Sequence, residues 1–163
     1  MLEDQALDPA IHDRQGFECG VPALDEYLRR FADQHRRRGI SSVYVLTESS
    51  QPERILGYYT LSAAEVDRQC LAEVERKKLP GYPVPCFRMG MGRLACRTDQ
   101  RGLGMGKLLL GCAVDRCLKA RQQVAAYALV VDAKDDVAKA FYVHFGFKTL
   151  QDAPLTLYLP LGR

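Results

Sequence analysis

One segment, Arg93 to Ala120, limits what this chain can fold into more than any other. It has the pattern of a strand end, a loop containing Gly102, Gly104 and Gly106, and a helix whose apolar residues recur at helical spacing. Glycine lacks a Cβ atom, so such a loop turns sharply and lets the backbone approach a ligand closely. The first N–H groups of the following helix have no partner within it and lie at the positive end of its dipole. The segment therefore predicts an anion site, most naturally for a pyrophosphate.

The spacing of these glycines excludes two common phosphate-binding loops. No Gly-Lys-Ser/Thr follows them, as a P-loop requires, and they alternate instead of following the G-x-G-x-x-G pattern of dinucleotide-binding proteins. A glycine-rich turn without any ligand is the alternative interpretation. The other segments of the chain decide between the two.

Length and composition indicate one globular domain over residues 1–163. The chain is 47% hydrophobic and 26% charged, which suits a sizeable core, and its net charge of +3 is too small to establish a polyanionic partner. No apolar run approaches the ~20 residues of a membrane span, and the N-terminus has no signal-peptide pattern, so we expect a cytoplasmic protein without membrane contact. The six cysteines form no C-x-x-C pair, and the histidines are not spaced to join them. We therefore expect reduced core thiols and no metal site, with a catalytic role for one of these thiols as the alternative.

Strands and helices alternate along the chain. The patterns predict strands at residues 40–47, 55–63, 87–96, 126–131, 147–150 and 155–159, and allow a short edge strand before residue 16. They predict helices after Gly20, partly within 65–78, after the glycine loop, and between Asp132, which can cap the helix, and Gly146, which ends it. The strand at 126–131 is apolar throughout, which suits an interior parallel strand. The fold class is therefore α/β, with a central mixed sheet flanked by helices.

Three of the helices carry an apolar stripe that predicts their buried residues. Helix by helix, the predicted residues are Leu24, Tyr27, Leu28, Phe31 and Ala32; Leu109, Leu110, Ala113, Val114, Cys117 and Leu118; and Val137, Ala138, Phe141, Tyr142 and Phe145.

Two clusters of basic side chains occur at the ends of predicted helices. Compensation of a helix dipole explains some of this charge, but three consecutive arginines exceed what capping requires. A solvated surface is the alternative interpretation of each cluster, and a structural ion pair is the alternative for Arg93. The candidates for contacts with a nucleic-acid backbone are Arg36, Arg37, Arg38, Arg76, Lys77, Lys78 and Arg93.

Several motifs together resemble the GNAT N-acetyltransferases. The order Arg-x-x-Gly-x-Gly at 101–106 resembles the acetyl-CoA loop of that family, and residues 131–134 with 141–147 resemble its closing segment. The segments 17–20, 24–28, 57–61, 82–85 and 92–95 are similar to those of the GNAT toxins of bacterial toxin–antitoxin pairs. One departure is the stretch 89–92, which is longer and more glycine-rich than expected. A bulge there would alter the strand that lines the acetyl group.

The resemblance implies an acetyl-CoA-dependent N-acetyltransferase. Its expected substrate is the α-amine of an aminoacyl-tRNA, and acetylation of that amine stops translation. The resemblance also implies a ribbon-helix-helix antitoxin, contact with operator DNA through that antitoxin, and a homodimer.

The resemblance also assigns residues to the cofactor site. Backbone groups of 94–96 would line the pantetheine and acetyl carbonyl, and backbone N–H groups of 101–107 would hold the pyrophosphate. The side chains of Arg101 and Lys107 would add positive charge there, although a solvated helix position is the alternative for Lys107. The residues expected to bind the cofactor are Leu94, Ala95, Cys96, Arg101, Gly102, Leu103, Gly104, Met105, Gly106, Lys107, Asp132, Ala138 and Phe141.

Tyr142 is the candidate catalytic residue. The departing thiolate needs a proton, and a phenol with a reference pKa of about 10 holds one at neutral pH. The family has a tyrosine with this role at the matching position; core packing beside Phe141 and Phe145 is the alternative. No general base is evident, and an α-amine with a reference pKa of ~7.7–8.0 is partly neutral without one. His144 is a weaker candidate because the Phe145-Gly146 that follows suggests a surface position.

Two alternative functions fit the same sequence. One is a GNAT enzyme that acetylates a small-molecule or protein amine. The other is a CoA-binding regulatory module without catalysis, which would act with an antitoxin on DNA.

Overall fold

The computed structural model describes residues 1–162, which fall into two compact units. The first unit comprises Met1–Ser62 and Arg93–Val114, and the second comprises Ala63–Gly92 and residues 115–162. None of the helices within these described residues combines the length and apolar character that crossing a bilayer requires.

The described residues form eight strands. They are β1 (Leu2–Ala6), β2 (Ser42–Glu48), β3 (Gly57–Val66), β4 (Val84–Met89), β5 (Leu94–Cys96), β6 (Ala128–Asp132), β7 (Lys148–Leu150) and β8 (Ala153–Pro160). Every strand predicted from the sequence has a counterpart, and β1 is the short edge strand that the N-terminal residues allowed.

The helical segments are mostly short. They are α1 (Pro22–Glu26), a π-helical turn (Tyr27–Phe31), α2 (Ala32–Arg37), a 3₁₀ turn (Arg68–Cys70), α3 (Glu73–Arg76), a second 3₁₀ turn (Thr98–Gln100), α4 (Met105–Ala120) and α5 (Asp136–His144). Gly39 and Gly146 follow α2 and α5 with φ of 73° and 94°, a left-handed conformation that glycine adopts without strain. Both predicted helix ends are therefore confirmed.

In the first unit, antiparallel strands carry an aromatic core. β1 pairs with β2, β2 with β3, and β5 with β3. Phe17 and Tyr27 both contact the buried Tyr58, with ring centroids 5.5 and 6.5 Å away. The Tyr58 hydroxyl donates a hydrogen bond of 2.7 Å to the Leu24 carbonyl, which joins α1 to β3. Helix α4 packs closely on β3, because a Cβ atom on Gly57 would lie 2.5 Å from Leu109 Cδ1.

In the second unit, β6 is the central strand of a mixed arrangement. It pairs parallel with β4 and antiparallel with β8, and β7 pairs antiparallel with β8. The prediction of an interior strand is confirmed, but the expectation of parallel neighbours holds only on the β4 side. The buried residues packed together in this unit are Val66, Leu71, Val84, Cys86, Ala128, Val130, Leu150 and Tyr158. The mixed α/β fold class is confirmed.

The predicted strand at 87–96 is interrupted. β4 ends at Met89 and β5 begins at Leu94, while Met91 and Gly92 between them have φ of 59° and 70°. A left-handed residue cannot continue an extended strand, so the two halves are separate strands. The glycine-rich stretch that departed from the family pattern is the location of this break.

Helix faces and caps also differ from expectation at a few positions. Phe31 is 41% exposed because the π turn adds a residue and rotates the side chains out of the regular helical stripe. Leu118 and Val137 are exposed as well, and Val137 lies beside the buried stripe rather than on it. Asp135, not Asp132, caps α5: its carboxylate accepts a 2.8 Å hydrogen bond from the Ala138 N–H.

Candidate active site

The glycine loop of the first unit has the backbone conformation that an anion cradle needs. Gly102 and Gly104 have φ of 78° and 76°, and no described heavy atom lies within 4 Å of a Cβ added at either. Helix α4 starts at Met105, so Gly106 lies in its first turn and not in the loop. The Leu108 N–H donates to the Gly104 carbonyl at 3.1 Å, so the N–H groups of 105–107 precede the first helical bond. Open space, positive φ and these helix N–H groups together fit a pyrophosphate.

The two basic residues that flank this loop differ in their contacts. Arg101 Nη2 donates a hydrogen bond of 2.8 Å to the carbonyl of Cys19, and a Cβ atom on Gly20 would lie 2.5 Å from the same nitrogen. The guanidinium therefore ties the loop to the residues before α1. Lys107 is exposed and so is Leu103 within the loop.

The strand β5 is positioned by β3. Ala95 is buried opposite Tyr58, while Leu94 and Cys96 are half-buried. The Arg97 N–H donates to the Leu56 carbonyl at 2.8 Å and extends the pairing beyond the strand. One backbone edge of β5 is thus occupied by β3.

In the second unit, Tyr142 is buried on α5 with an exposed fraction of 4%. Its ring makes edge-to-face contacts with Phe141 and Phe147, each with centroids 5.3 Å apart. Its hydroxyl lies 3.9 Å from the sulfur of Met89, the last residue of β4. These contacts on several sides hold the phenol in one orientation.

Three other residues expected at the cofactor lie in the same unit. Ala138 and Phe141 are half-buried on α5, and the Ala138 N–H is already bound by Asp135. Asp132 ends β6, and its carboxylate accepts hydrogen bonds from Arg88 Nε and Nη2, at 3.0 and 2.7 Å. The structure thus gives Asp132 a set of protein partners that the sequence did not indicate. His144 is exposed, in accord with the surface position expected for it.

The basic candidates are distributed over both units. In the first, Arg36 and Arg37 bind Asp33 at 2.6 and 3.0 Å, and the hydrogen bond from Arg36 lowers the pKa of that carboxyl group. Arg38 is exposed. Arg93 lies over the ring of Tyr27, so its partner among residues 1–162 is an aromatic ring and not the carboxylate of the ion pair considered as its alternative.

In the second unit, the other basic cluster lies at the end of α3. Lys77 is 3.5 Å from the carboxylate of Glu73, Lys78 is exposed and Arg76 is half-buried. The structure thus groups 93–96 with 101–107 and with 36–38 in the first unit, and 76–78 with Asp132, Ala138, Phe141 and Tyr142 in the second.

Comparison with known proteins identifies the family. The profile of the acetyltransferase (GNAT) family matches residues 9–147. A curated relative, the "tRNA-acetylating toxin" of Mycobacterium tuberculosis (strain ATCC 25618 / H37Rv), is 35% identical over 147 residues, which cover 90% of this chain and 85% of the relative.

Solved structures agree with the sequence relatives. AtaT complexed with acetyl-methionyl-tRNAfMet is similar with a TM-score of 0.90 and 29% identity, over 98% of this chain and 95% of that one. AtaTR bound with acetyl-CoA has a TM-score of 0.83 and 30% identity, over 98% and 94%. An AtaT–AtaR complex bound to DNA has a TM-score of 0.77 and 26% identity, over 98% and 94%. With its fold, its glycine loop and the match of most of its length to the family profile, the chain belongs to the acetyltransferase (GNAT) family.

Proposed function

We propose that this chain is a toxin that acetylates the α-amine of an aminoacyl-tRNA and thereby blocks translation. One observation carries the proposal: the fold matches, over 98% of the chain, that of AtaT solved with acetyl-methionyl-tRNAfMet. The curated relative named as a tRNA-acetylating toxin supports the same substrate. Residues 1–163 would act as one acetyltransferase domain in the cytoplasm.

The acetyl donor would be acetyl-CoA, which supplies an activated thioester. Gly102 and Gly104 have positive φ values and open surroundings, so the loop Arg101–Gly104 and the first N–H groups of α4 would fit its pyrophosphate. Arg101 would contribute mainly by holding this loop, since its guanidinium binds the Cys19 carbonyl. The backbone of β5, with one edge on β3, would align the acetyl carbonyl. Such alignment alone lowers the activation free energy for the reaction of an activated group by several kcal/mol.

Tyr142 would be the general acid. A phenol with the reference pKa of about 10 holds a proton at neutral pH and would give it to the sulfur that leaves. Burial on α5 and ring contacts with Phe141 and Phe147 support a fixed orientation for this step. The substrate α-amine is partly neutral near pH 7, so the proposed reaction needs no dedicated base.

The exposed basic side chains would bind the tRNA backbone. Arg38, Lys77 and Lys78 are exposed, while Arg36 and Arg37 share Asp33 and so carry a reduced net charge. Contacts of this kind give salt-dependent affinity without reading sequence. A homodimer would combine two such surfaces.

The expected antitoxin is a ribbon-helix-helix protein. An AtaT mutant has been solved with the C-terminus of the antitoxin AtaR, and the AtaT–AtaR complex has been solved with DNA. Both structures support an antitoxin partner for this chain and contact with operator DNA through it.

The direct test uses charged tRNA and labelled acetyl-CoA. We expect the purified chain to label the amino acid of at least one aminoacyl-tRNA, and Tyr142→Phe to lower the rate at least ~100-fold. Tyr82→Phe is the matched control, because Tyr82 is 64% exposed and should not affect transfer.

Growth of cells that express each variant gives a second readout. The wild-type chain and Tyr82→Phe should halt growth, and Tyr142→Phe should not. Label on polyamines or proteins but on no aminoacyl-tRNA would replace the proposed substrate with another amine. Binding of acetyl-CoA without transfer to any amine would indicate a regulatory module.

A further inference from the structure

The turn between β4 and β5 has an unusual backbone. Met91 has φ of 59° although it carries a side chain, and it is followed by Gly92 at 70°. A left-handed conformation is unfavourable for a residue with a Cβ atom, so other contacts must hold the turn in place. The turn lies close to the end of β6: a Cβ atom on Gly90 would be 3.3 Å from Asp132 Oδ2, and one on Gly92 would be 3.2 Å from Lys134 Cβ.

The carboxylate of Asp132 supplies these contacts. It accepts the bidentate pair from Arg88 described above, a bond of 3.3 Å from the Met91 N–H, and one of 3.1 Å from Thr156 Oγ1. The side chain of Asp132 is 19% exposed, so this ion pair is partly shielded from water. Bidentate arginine–carboxylate pairs fix orientation as well as distance. Asp132 therefore joins β4, the turn and β8 at one point.

The same stretch of chain contacts the candidate catalytic residue. Met89 lies between Arg88 and Gly90, is 1% exposed, and places its sulfur 3.9 Å from the Tyr142 hydroxyl. Arg88, directly before Met89, and Met91, two residues after it, are thus both bound to Asp132, through the Arg88 side chain and the Met91 N–H. A shift of the turn would move the Met89 side chain that contacts the phenol.

We infer that Asp132 is a positioning residue for Tyr142 and not a ligand of the cofactor. It acts by fixing Arg88 and the Met91 N–H, which keep Met89 against the hydroxyl of Tyr142. The inference rests on the proposed function, in which Tyr142 is the general acid. It replaces the expectation from the sequence that Asp132 binds acetyl-CoA, and the two roles predict different kinetics.

The test compares Asp132→Asn with Asp115→Asn. Asp115 is an exposed carboxylate paired with Lys119 at 2.8 Å, so its amide variant controls for the loss of one charge. Asp132→Asn should lower the single-turnover rate of acetyl transfer at least ~10-fold at saturating acetyl-CoA. Its KM for acetyl-CoA, and the Kd measured by calorimetry, should stay within about twofold of the wild-type values.

A second readout does not depend on activity. Hydrogen exchange at the Met91 N–H, which donates to Asp132, should be faster in Asp132→Asn and unchanged in Asp115→Asn. Arg88→Lys keeps the charge but not the bidentate geometry, and it should have a transfer rate between those of the wild type and Arg88→Met. These two variants keep the test informative if Asp132→Asn folds poorly.

Three outcomes would overturn the inference. A Kd for acetyl-CoA raised tenfold or more with an unchanged single-turnover rate would make Asp132 a cofactor ligand. Unchanged transfer and unchanged exchange at Met91 would remove its positioning role. Transfer rates for both Arg88→Lys and Arg88→Met equal to that of the wild type would exclude a positioning role for the bidentate pair. A wild-type chain that acetylates no aminoacyl-tRNA would instead sink the proposed function, and exchange at Met91 would then decide whether Asp132 holds the turn.

Discussion

The guanidinium carbon of Arg93 lies 3.7 Å from the centre of the Tyr27 ring. Tyr27 is itself buried, stacks on Tyr58 and shares a hydrogen bond of 3.0 Å with His35 Nδ1. Arg93 therefore covers one end of the aromatic core that joins the first helix to β3. Arg93, which the sequence suggested as a contact for tRNA, therefore has a structural partner in Tyr27.

Replacement of Arg93 should therefore weaken the fold. We expect Arg93→Ala to lower the free energy of unfolding by about 1–2 kcal/mol, because it removes a shielded cation–π contact and the packing of the side-chain stem. Urea denaturation measures the change. Arg30→Ala is the control, since the Arg30 side chain is 70% exposed, its ion pair is with the 52% exposed Glu26, and its contact with the Phe31 ring is longer, at 5.9 Å. Equal stability of the two variants would contradict the role assigned to the Tyr27 contact.

The pair of the buried Glu75 with Lys148 should make stability depend on pH. Burial alone would raise the pKa of Glu75, but the hydrogen bond and charge of Lys148 outweigh it and lower that pKa; the same hydrogen bond raises the pKa of Lys148. The contribution of Glu75 to the free energy of unfolding is thus present above the pKa that Glu75 has in the unfolded chain. It is lost as the pH falls through the lower pKa that Glu75 has in the folded chain. The contribution of Lys148 to the free energy of unfolding is present below the pKa that Lys148 has in the unfolded chain. It is lost as the pH rises through the higher pKa that Lys148 has in the folded chain.

A variant of the lysine tests this window. Lys148→Met should lower the free energy of unfolding by about 1–3 kcal/mol at pH 7, because it leaves a buried carboxylate without its cation. The loss should shrink once Glu75 is protonated in acid. Lys119→Met, which breaks an exposed pair with Asp115, should change stability by less than about 0.5 kcal/mol at either pH. A loss for Lys148→Met that is independent of pH would rule out the ion pair as its cause.

Two buried thiols should resist modification. Burial raises the pKa of Cys86 to about 11 and that of Cys117 to about 12, so very little of either is thiolate near pH 8. We expect both to react with a thiol reagent roughly tenfold or more slowly than the half-buried Cys112 in the folded chain. Mass spectrometry of labelled peptides measures the rates, and denaturant should make them equal. Fast labelling of Cys117 in the folded chain would contradict its burial.

Two glycines should respond in opposite directions to alanine. Gly57→Ala places a Cβ atom 2.5 Å from Leu109 Cδ1 and 2.9 Å from the Ala95 carbonyl oxygen, so we expect a loss of about 1–3 kcal/mol. Gly111 lies within α4, and a Cβ atom added there would meet no neighbouring element within 4 Å. Gly111→Ala should therefore raise the free energy of unfolding by about 0.5–1 kcal/mol. Thermal denaturation of both variants gives the sign of each change. A stabilised Gly57→Ala would show that α4 does not pack against β3 as described.

The sequence predicted best what is encoded by neighbouring residues. The glycine loop, the edge strand, the Gly39 and Gly146 helix ends and the buried Tyr142 all depend on patterns within about ten positions, and their structures agree. Periodicity failed at Phe31, where a π turn interrupts it, and at Val137, which is exposed in the first turn of α5. A pattern at helical spacing assumes a regular helix throughout.

Contacts between distant charged residues were not predictable. Arg88 and Asp132 are separated by 44 positions, and Lys148 and Glu75 by 73. Nothing in the local pattern distinguishes these residues from ordinary surface charges, because partners this far apart meet only when the strands pair. The resemblance to a family led to the residues of the proposed reaction, such as Tyr142, but not to the residues that hold them in place.

The π turn at Tyr27–Phe31 has a consequence for the arginines that follow it. A regular helix advances about 100° per residue, so one additional residue in a turn swings everything after it around the axis by that angle. The direction in which Arg36, Arg37 and Arg38 point therefore depends on the one additional residue in the π turn that precedes them. A one-residue deletion within Tyr27–Phe31 would rotate these three side chains by about 100° around the helix axis, although none of the three residues would itself be changed.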